Sequence, residues 1–252
     1  MKKIALLILI VWPVAAHATD SYELLTAVLR GYVRAGKVQY APLCKDGRLK
    51  DSIAQLAGTN PDTLPDQNAK LAFWINAYNA YTIQAICGRY PIKSINDLHG
   101  GGLVLGSIMN TTVWDRDFVV INNKKMTLNH IEHKIVRPLF HDPRAHFALV
   151  CASKSCPALR FEAFEGNRLD EQLNDQGMLF FADPYRNRFD VPEKKATLSK
   201  ILDWYSKDFG PDRKTVLLFV ARFLPDDLAA SIRSEPEAWK ISYLDYDWSL
   251  NE

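Results

Sequence analysis

Apolar positions recur at helical spacing along most of this chain, and breaks in that rhythm mark out its elements. Tyr22, Leu25, Val28 and Leu29 share one helical face. They predict a helix to about Tyr32, capped by Asp20 or Ser21 and ended by Gly31 and Gly36. Residues 37–41 read as a short extended piece before Pro42. Residues 49–56 predict a second helix, closed by Gly58 and the Asn60-Pro61 breaker. From Asp66 a long helix is predicted towards Arg89, before Pro91. It is apolar almost all round, which predicts burial on every side. Residues 118–121 and 125–127 flank Asn122-Asn123, the signature of a hairpin turn. Helices are predicted over 128–140, 169–181, 198–209, 214–223 and 226–233, with a turn at His141-Asp142-Pro143.

Two strands are predicted late in the chain, over 145–152 and 240–248. Strand alternation over 145–152 would set His146, Ala148 and Val150 on one face and Phe147, Leu149 and Cys151 on the other. Pro157 suits the first position of a short helix, which would put Cys156 at its N-cap, where free N–H groups lower a thiol pKa. Helices outnumber strands and do not alternate with them. The expected fold class is therefore α+β: a helix-rich single domain around a small, mostly antiparallel sheet. No repeat or linker-like stretch divides it.

The N-terminus changes the picture of where this domain works. Lys2 and Lys3 precede an unbroken apolar run from Ile4 to Trp12, and Ala16-His17-Ala18 places small residues at the positions a signal peptidase reads. Residues 1–18 are expected to be a signal peptide. Residues 19–252 would then be the mature domain, exported to the periplasm or secreted. The apolar run is shorter than the ~20 residues that span a bilayer, and no integral membrane segment is expected after processing. Removing residues 1–18 deletes two lysines and no acid, leaving 29 Lys+Arg against 29 Asp+Glu. A chain so balanced has no global electrostatic reason to bind nucleic acid. An oxidising compartment lets cysteines pair, and Cys44, Cys87, Cys151 and Cys156 allow three full pairings among which the sequence does not choose.

Candidate chemistry gathers in three stretches. On the long helix, Asn76 and Asn79 lie three apart on an otherwise apolar surface, so something must satisfy their amides. They either tie down a neighbouring loop or serve a site. Between Thr127 and Cys156 fall His130, Glu132, His133, His141 and His146 with two of the cysteines. Along 198–210, Ile201, Leu202, Tyr205 and Phe209 make an apolar stripe that reads as core. Asp203 and Asp208 could add a carboxylate but read more simply as solvated. Trp204-Tyr205 and Trp239 to Trp248 supply aromatics for core, interface or sugar stacking. Gly100-Gly101-Gly102 lacks the Lys-Ser/Thr and preceding strand of a phosphate loop.

Several motifs in order resemble the domain of unknown function 547 family. They are Phe73-Trp74-Ile75-Asn76-Ala77-Tyr78-Asn79-Ala80, Ile131-Glu132-His133, His146-Phe147-Ala148-Leu149, Cys151-Ala152-Ser153, Ser155-Cys156-Pro157, Leu198-Ser199, Trp204-Tyr205 and Asp208-Phe209-Gly210. The resemblance covers about 38–210. It implies one fold unit and, as in other exported bacterial members, a place outside the cytoplasm; it supplies no reaction.

The residues themselves offer two accounts. In the first, the protein is a thiol-dependent amide or ester hydrolase or acyl transferase. Cys156 is the nucleophile, His146 or His133 the base, Glu132 the carboxylate that orients it and Asn76 a donor to the oxyanion or to the histidine, with Cys151, His133 and Asn79 as additional site residues. No histidine follows either cysteine, so the papain-like chain order does not apply. In the second, a Cys151–Cys156 disulfide stabilises a non-catalytic module that binds a cell-envelope glycan, peptide or protein. His130 and His133 beside the cysteines raise zinc, but Glu132 does not fit the His-Glu-x-x-His pattern. No metal and no cofactor is expected. The expected partner is a small-molecule, peptide or glycan ligand.

Overall fold

The helix Gln67–Cys87 is the axis of the molecule. Asp66 caps it, accepting a hydrogen bond from the Ala69 N–H at 2.8 Å. Every residue from Leu71 to Ile83 is buried, as an all-round apolar sequence requires. The structure, a computed structural model, describes residues 22–99 and 112–252. The expected signal peptide and the Gly100-Gly101-Gly102 loop lie outside those residues.

Helices Gly47–Gly58 and Leu169–Ala182 pack against this axis, together with the helical segment that begins at Leu128. Helix Glu23–Tyr32 packs in turn on Gly47–Gly58. The short helix Tyr40–Leu43 ends at Cys44, which is disulfide-bonded to Cys87 at the last turn of the axis. Cys151 and Cys156 remain thiols. Of the pairings open to the sequence, the structure thus contains one bond, and it is not the Cys151–Cys156 bond of the binding-module account. No helix among the described residues is long and apolar enough to cross a membrane.

Among the described residues the strands form three small sheets, a helix-rich α+β arrangement as expected. Val33–Arg34 pairs with Lys37–Val38, and Val119–Ile121 pairs with Lys124–Met126, both antiparallel. Asn122 and Asn123 turn the second hairpin with φ of 47° and 61°, the backbone that asparagine tolerates and a tight hairpin needs. In the third sheet Arg188–Asp190 lies antiparallel to Lys195–Leu198, and Lys240–Tyr243 runs parallel to the latter. Only the first half of the predicted strand 240–248 is therefore a strand.

Two cores divide the interior. One surrounds the axis helix. The other gathers Phe147, Phe180, Phe181, Phe209, Leu217, Phe223 and Trp239. Residues 145–152 run along the seam, sending Phe147 into the second core and Ala145, Ala148, Leu149 and Val150 into the first.

This segment corrects the sequence reading, because it is not a strand. Asp142 accepts from the Arg144 N–H and Pro143 occupies the first position, so Pro143–Phe147 starts as a 3₁₀ turn. Beyond it the chain is irregular. Backbone groups that a strand would share with a neighbour are taken by a side chain: Asn79 donates to the Ala148 carbonyl at 2.8 Å and accepts from the Val150 N–H at 2.9 Å. Apolar content marked the segment as buried, and the long-range amide decided its backbone.

Two predicted helices also depart from regularity. Residues 128–140 are helical throughout, but Leu128–His130 widens into a π-helical turn over Ile131–Val136 before Arg137–Phe140. Such turns are uncommon and recur at functional sites. The predicted helix 198–209 breaks at Tyr205 into Ile201–Trp204 and Ser206–Phe209, and Leu198 belongs to a strand.

Candidate active site

Cys151 stands where the seam segment ends, on the wall of a cleft of about 300 Å³. Asn79 fixes the backbone just before it. Just after it, Ala152 is in the left-handed region at φ 62°, a conformation that costs a non-glycine residue energy and recurs at functional sites. The turn from 151 to 156 is then pinned from two sides. Arg186 donates to the carbonyls of Cys156 (2.6 Å) and Lys154 (2.9 Å). The C-terminal tail supplies backbone bonds from Lys154 N–H to Ser249 (2.8 Å) and from Asn251 N–H to Ala152 (3.1 Å).

Within the turn the two sulfurs lie 2.8 Å apart, and the Cys151 N–H donates to Cys156 Sγ at 2.8 Å. Ser153 Oγ and Tyr246 Oη lie 3.1 Å and 3.2 Å from Cys151 Sγ, and Ser153 donates to Tyr246. Burial pushes the Cys151 thiol up, but hydrogen bonds from Cys156, Ser153 and Tyr246 outweigh it and bring Cys151 down to about 7. Burial raises Cys156 well above the usual thiol value, and the neighbouring Cys151 sulfur raises it further. Cys156 is 2% exposed, whereas Cys151 is partly exposed.

The sequence expectation for Cys156 is thereby reversed. No helix follows Pro157, so no N-terminal dipole reaches the sulfur. The lowered thiol is Cys151 and the raised one is Cys156.

His146 lines the same cleft from the 3₁₀ turn. Its Nε2 is 2.8 Å from Asp208 Oδ2. Asp208 also receives both arms of Arg137, from Nε at 2.6 Å and Nη2 at 2.9 Å. The bonds from His146 and then Arg137 hold the Asp208 carboxyl well below the usual carboxylate range. Tyr205 packs its ring 4.1 Å from the His146 ring, and Phe209 lies at 5.3 Å, so the imidazole is clamped on both flanks.

Glu132, at the start of the π-helical turn, is buried and also lines the cleft. Burial first, and the neighbouring Glu132 carboxylate second, raise the Tyr205 phenol. Its sequence neighbour His133 is directed elsewhere, with Nδ1 3.0 Å from Arg137 Nη1. Asn76 is not brought to the cleft: it donates to the Phe164 carbonyl at 2.8 Å and accepts from the Phe164 N–H at 2.9 Å. Asn76 and Asn79 are thus loop anchors, and the structure aims neither at an oxyanion.

The remaining wall is aromatic. Trp204 and Trp248 stack with centroids 5.9 Å apart, Tyr246 packs against both at 4.7 Å and 4.6 Å, and Trp114 adjoins Trp248. Trp204 is 47% exposed. Sequence reasoning missed Arg137 and the bonding of Ser153 and Tyr246 to the Cys151 sulfur, and it read Asp208 as solvated. The available signal for Asp208 was its place in the Asp208-Phe209-Gly210 motif. For Tyr246 the signal was only the aromatic run of 239–248, because only the fold brings the tail to the cysteine turn. Among the described residues no group of three or more His, Cys, Asp or Glu side chains is arranged to hold a metal ion.

The family model described as "Protein of unknown function, DUF547" matches residues 61–181. That stretch includes the axis helix, Glu132, His146, Cys151 and Cys156; Tyr205, Asp208 and the aromatic tail lie beyond it. No curated protein and no solved structure matches the chain.

Proposed function

Through residues 61–181 the chain belongs to the domain of unknown function 547 family, and from that premise we propose that it is a thiol-dependent hydrolase or acyl transferase for amides or esters, with Cys151 as its nucleophile. The observation that carries this reading is the convergence on one cleft of a partly exposed thiol lowered to about 7 and an imidazole held by a carboxylate 2.8 Å away.

The chemistry follows from the groups in place. His146 takes the Cys151 proton, and the thiolate adds to the substrate carbonyl. The imidazolium returns that proton to the departing amine or alcohol, leaving a thioester on Cys151. Water, or an acceptor nucleophile, then gives a proton to His146 and displaces the sulfur. Asp208 engages Nε2, which fixes the ring and leaves Nδ1 to exchange the proton. Arg137 keeps Asp208 ionised, so the pair favours the imidazolium that forms in each half-reaction. The Trp204–Tyr246–Trp248 wall suits the flat or apolar face of a peptide or a glycan. Export is part of the same proposal. It rests on the N-terminal pattern of residues 1–18 and is supported by the Cys44–Cys87 disulfide, a bond typical of oxidising compartments.

A second reading, a non-catalytic binding module for a glycan, peptide or protein of the cell envelope, draws on the exposed Trp204 face and the Cys44–Cys87 bond. Reduced protein exposed to a p-nitrophenyl ester separates the two. The hydrolase predicts a burst of p-nitrophenol and an acyl mass increase confined to Cys151, both lost in Cys151→Ser. Turnover that survives Cys151→Ser would overturn Cys151 as nucleophile, and no burst, or acylation only spread over surface lysines, would leave the binding module.

A further inference from the structure

A hydrolase needs one reactive thiol, yet this cleft holds two within contact distance, and acyl chemistry gives the second no step of its own. We propose that Cys151 and Cys156 are a reversible disulfide-forming pair, in which a hydroperoxide oxidises Cys151 and Cys156 resolves the product. This goes beyond acyl transfer and does not depend on it.

The placement of the sulfurs carries the inference. They are 2.8 Å apart, about 0.8 Å beyond an S–S bond of ~2.05 Å, so closure needs little motion. The turn that joins them is held by Arg186 and by the C-terminal tail, so they are already assembled. Access is unequal. Both sulfurs border the cleft, but Cys156 is only 2% exposed whereas Cys151 is partly exposed. A small oxidant therefore meets Cys151 first, while Cys156 waits behind it as a resolving thiol. The lowered Cys151 and raised Cys156 thiols assign the same roles.

The steps balance. The Cys151 thiolate attacks one peroxide oxygen; an S–O bond forms, the O–O bond breaks, and the alkoxide takes a proton to leave as an alcohol. Cys151 sulfur has lost two electrons to the peroxide and is a sulfenic acid. Cys156 sulfur then attacks it; the S–S bond forms, the S–O bond breaks, and the Cys156 proton leaves with the hydroxide as water. Two thiols and one hydroperoxide give one disulfide, one alcohol and one water. A dithiol reductant restores both thiols by exchange. While the bond is closed the acyl nucleophile is capped, and it is also protected from irreversible oxidation to the sulfinic acid.

The Cys44–Cys87 bond provides an internal reference, since one chain then carries a structural and a reversible disulfide. The test uses hydrogen peroxide on natively reduced full-length protein, followed by thiol blocking and trypsin. Cleavage after Lys154 places the two sulfurs on separate peptides, 145–154 and 155–160. The expected result is a product of those two peptides linked, formed with one equivalent of peroxide and reversed by dithiothreitol without unfolding, while Cys44–Cys87 stays closed. Cys156→Ser should instead accumulate a dimedone-reactive Cys151, about tenfold above wild type. Because the wild-type cross-link is read directly, misfolding of that variant would not rescue the proposal. Sulfinic acid at Cys151 with no linked peptide would overturn it, as would a Cys151–Cys156 bond that opens only on denaturation. Acylation of Cys151 is read separately, so loss of either activity leaves the other measurable.

Discussion

His146 Nε2 sits 2.8 Å from Asp208 Oδ2 across 62 positions of sequence, and Arg137 closes on the same carboxylate from the π-widened helix. The ion pair with Arg137 means Asp208 does not depend on His146 to remain charged. It can therefore orient the imidazole through both halves of a proton-transfer cycle.

Asp208→Asn should accordingly keep Cys151 in place but lose the base. The expected outcome is a fall of about 10²–10⁴-fold in ester turnover, with Cys151 still open to a small alkylating agent. The same substitution has a pH signature in stability. The Asp208 carboxyl is depressed in the fold, so its contribution is fully present above the unfolded value of about 4 and is lost as pH falls through the folded one. Urea midpoints measured from pH 3 to 6 should show the gap between wild type and Asp208→Asn narrowing towards acid. A gap that widens there would contradict the assignment.

Cys151 should react with iodoacetamide with a midpoint below that of an ordinary thiol. Its rate rises through neutrality and levels off above it. Tyr246→Phe removes a donor to the thiolate, so the midpoint should move to higher pH and the rate at neutrality should fall. An unmoved midpoint would show that the tail does not tune the sulfur.

Asn76 and Asn79 make matched pairs of buried backbone bonds in different places. Replacing either by alanine strands one carbonyl and one N–H, at a cost of about 2–4 kcal/mol in denaturant unfolding. Only Asn79→Ala should also change the alkylation rate of Cys151, since only Asn79 holds the chain that leads to it. A normally stable but inactive Asn76→Ala protein would restore Asn76 to the site.

Cys44 and Cys87 close a loop of 43 residues at the foot of the axis helix. Loop-closure entropy makes that bond worth about 4 kcal/mol. Cys44→Ser with Cys87→Ser should lower stability by up to that amount in chemical denaturation and leave the Cys151 titration unchanged. A shifted titration would mean that the bond also shapes the cleft.

What the sequence determined by itself was local. Hydrophobic period and caps gave the axis helix, the flanking helices, the Asn122-Asn123 hairpin and the α+β class, because each depends on residues within a few turns of one another. It also marked Glu132, His146, Cys151 and Cys156 as chemically suggestive. Tertiary structure decided the rest. Residues 145–152 are apolar enough for a strand, but Asn79, from a helix some seventy residues earlier, takes the backbone bonds that a strand would need. Which of the two thiols is lowered was likewise invisible. A thiol pKa is set by burial and by donors that arrive from elsewhere, here Tyr246 from the tail, and not by the residue that follows the cysteine. Which cysteines bond, which carboxylate meets His146 and which asparagines are anchors all depend on distances between remote segments, and those are fixed only when the two cores pack.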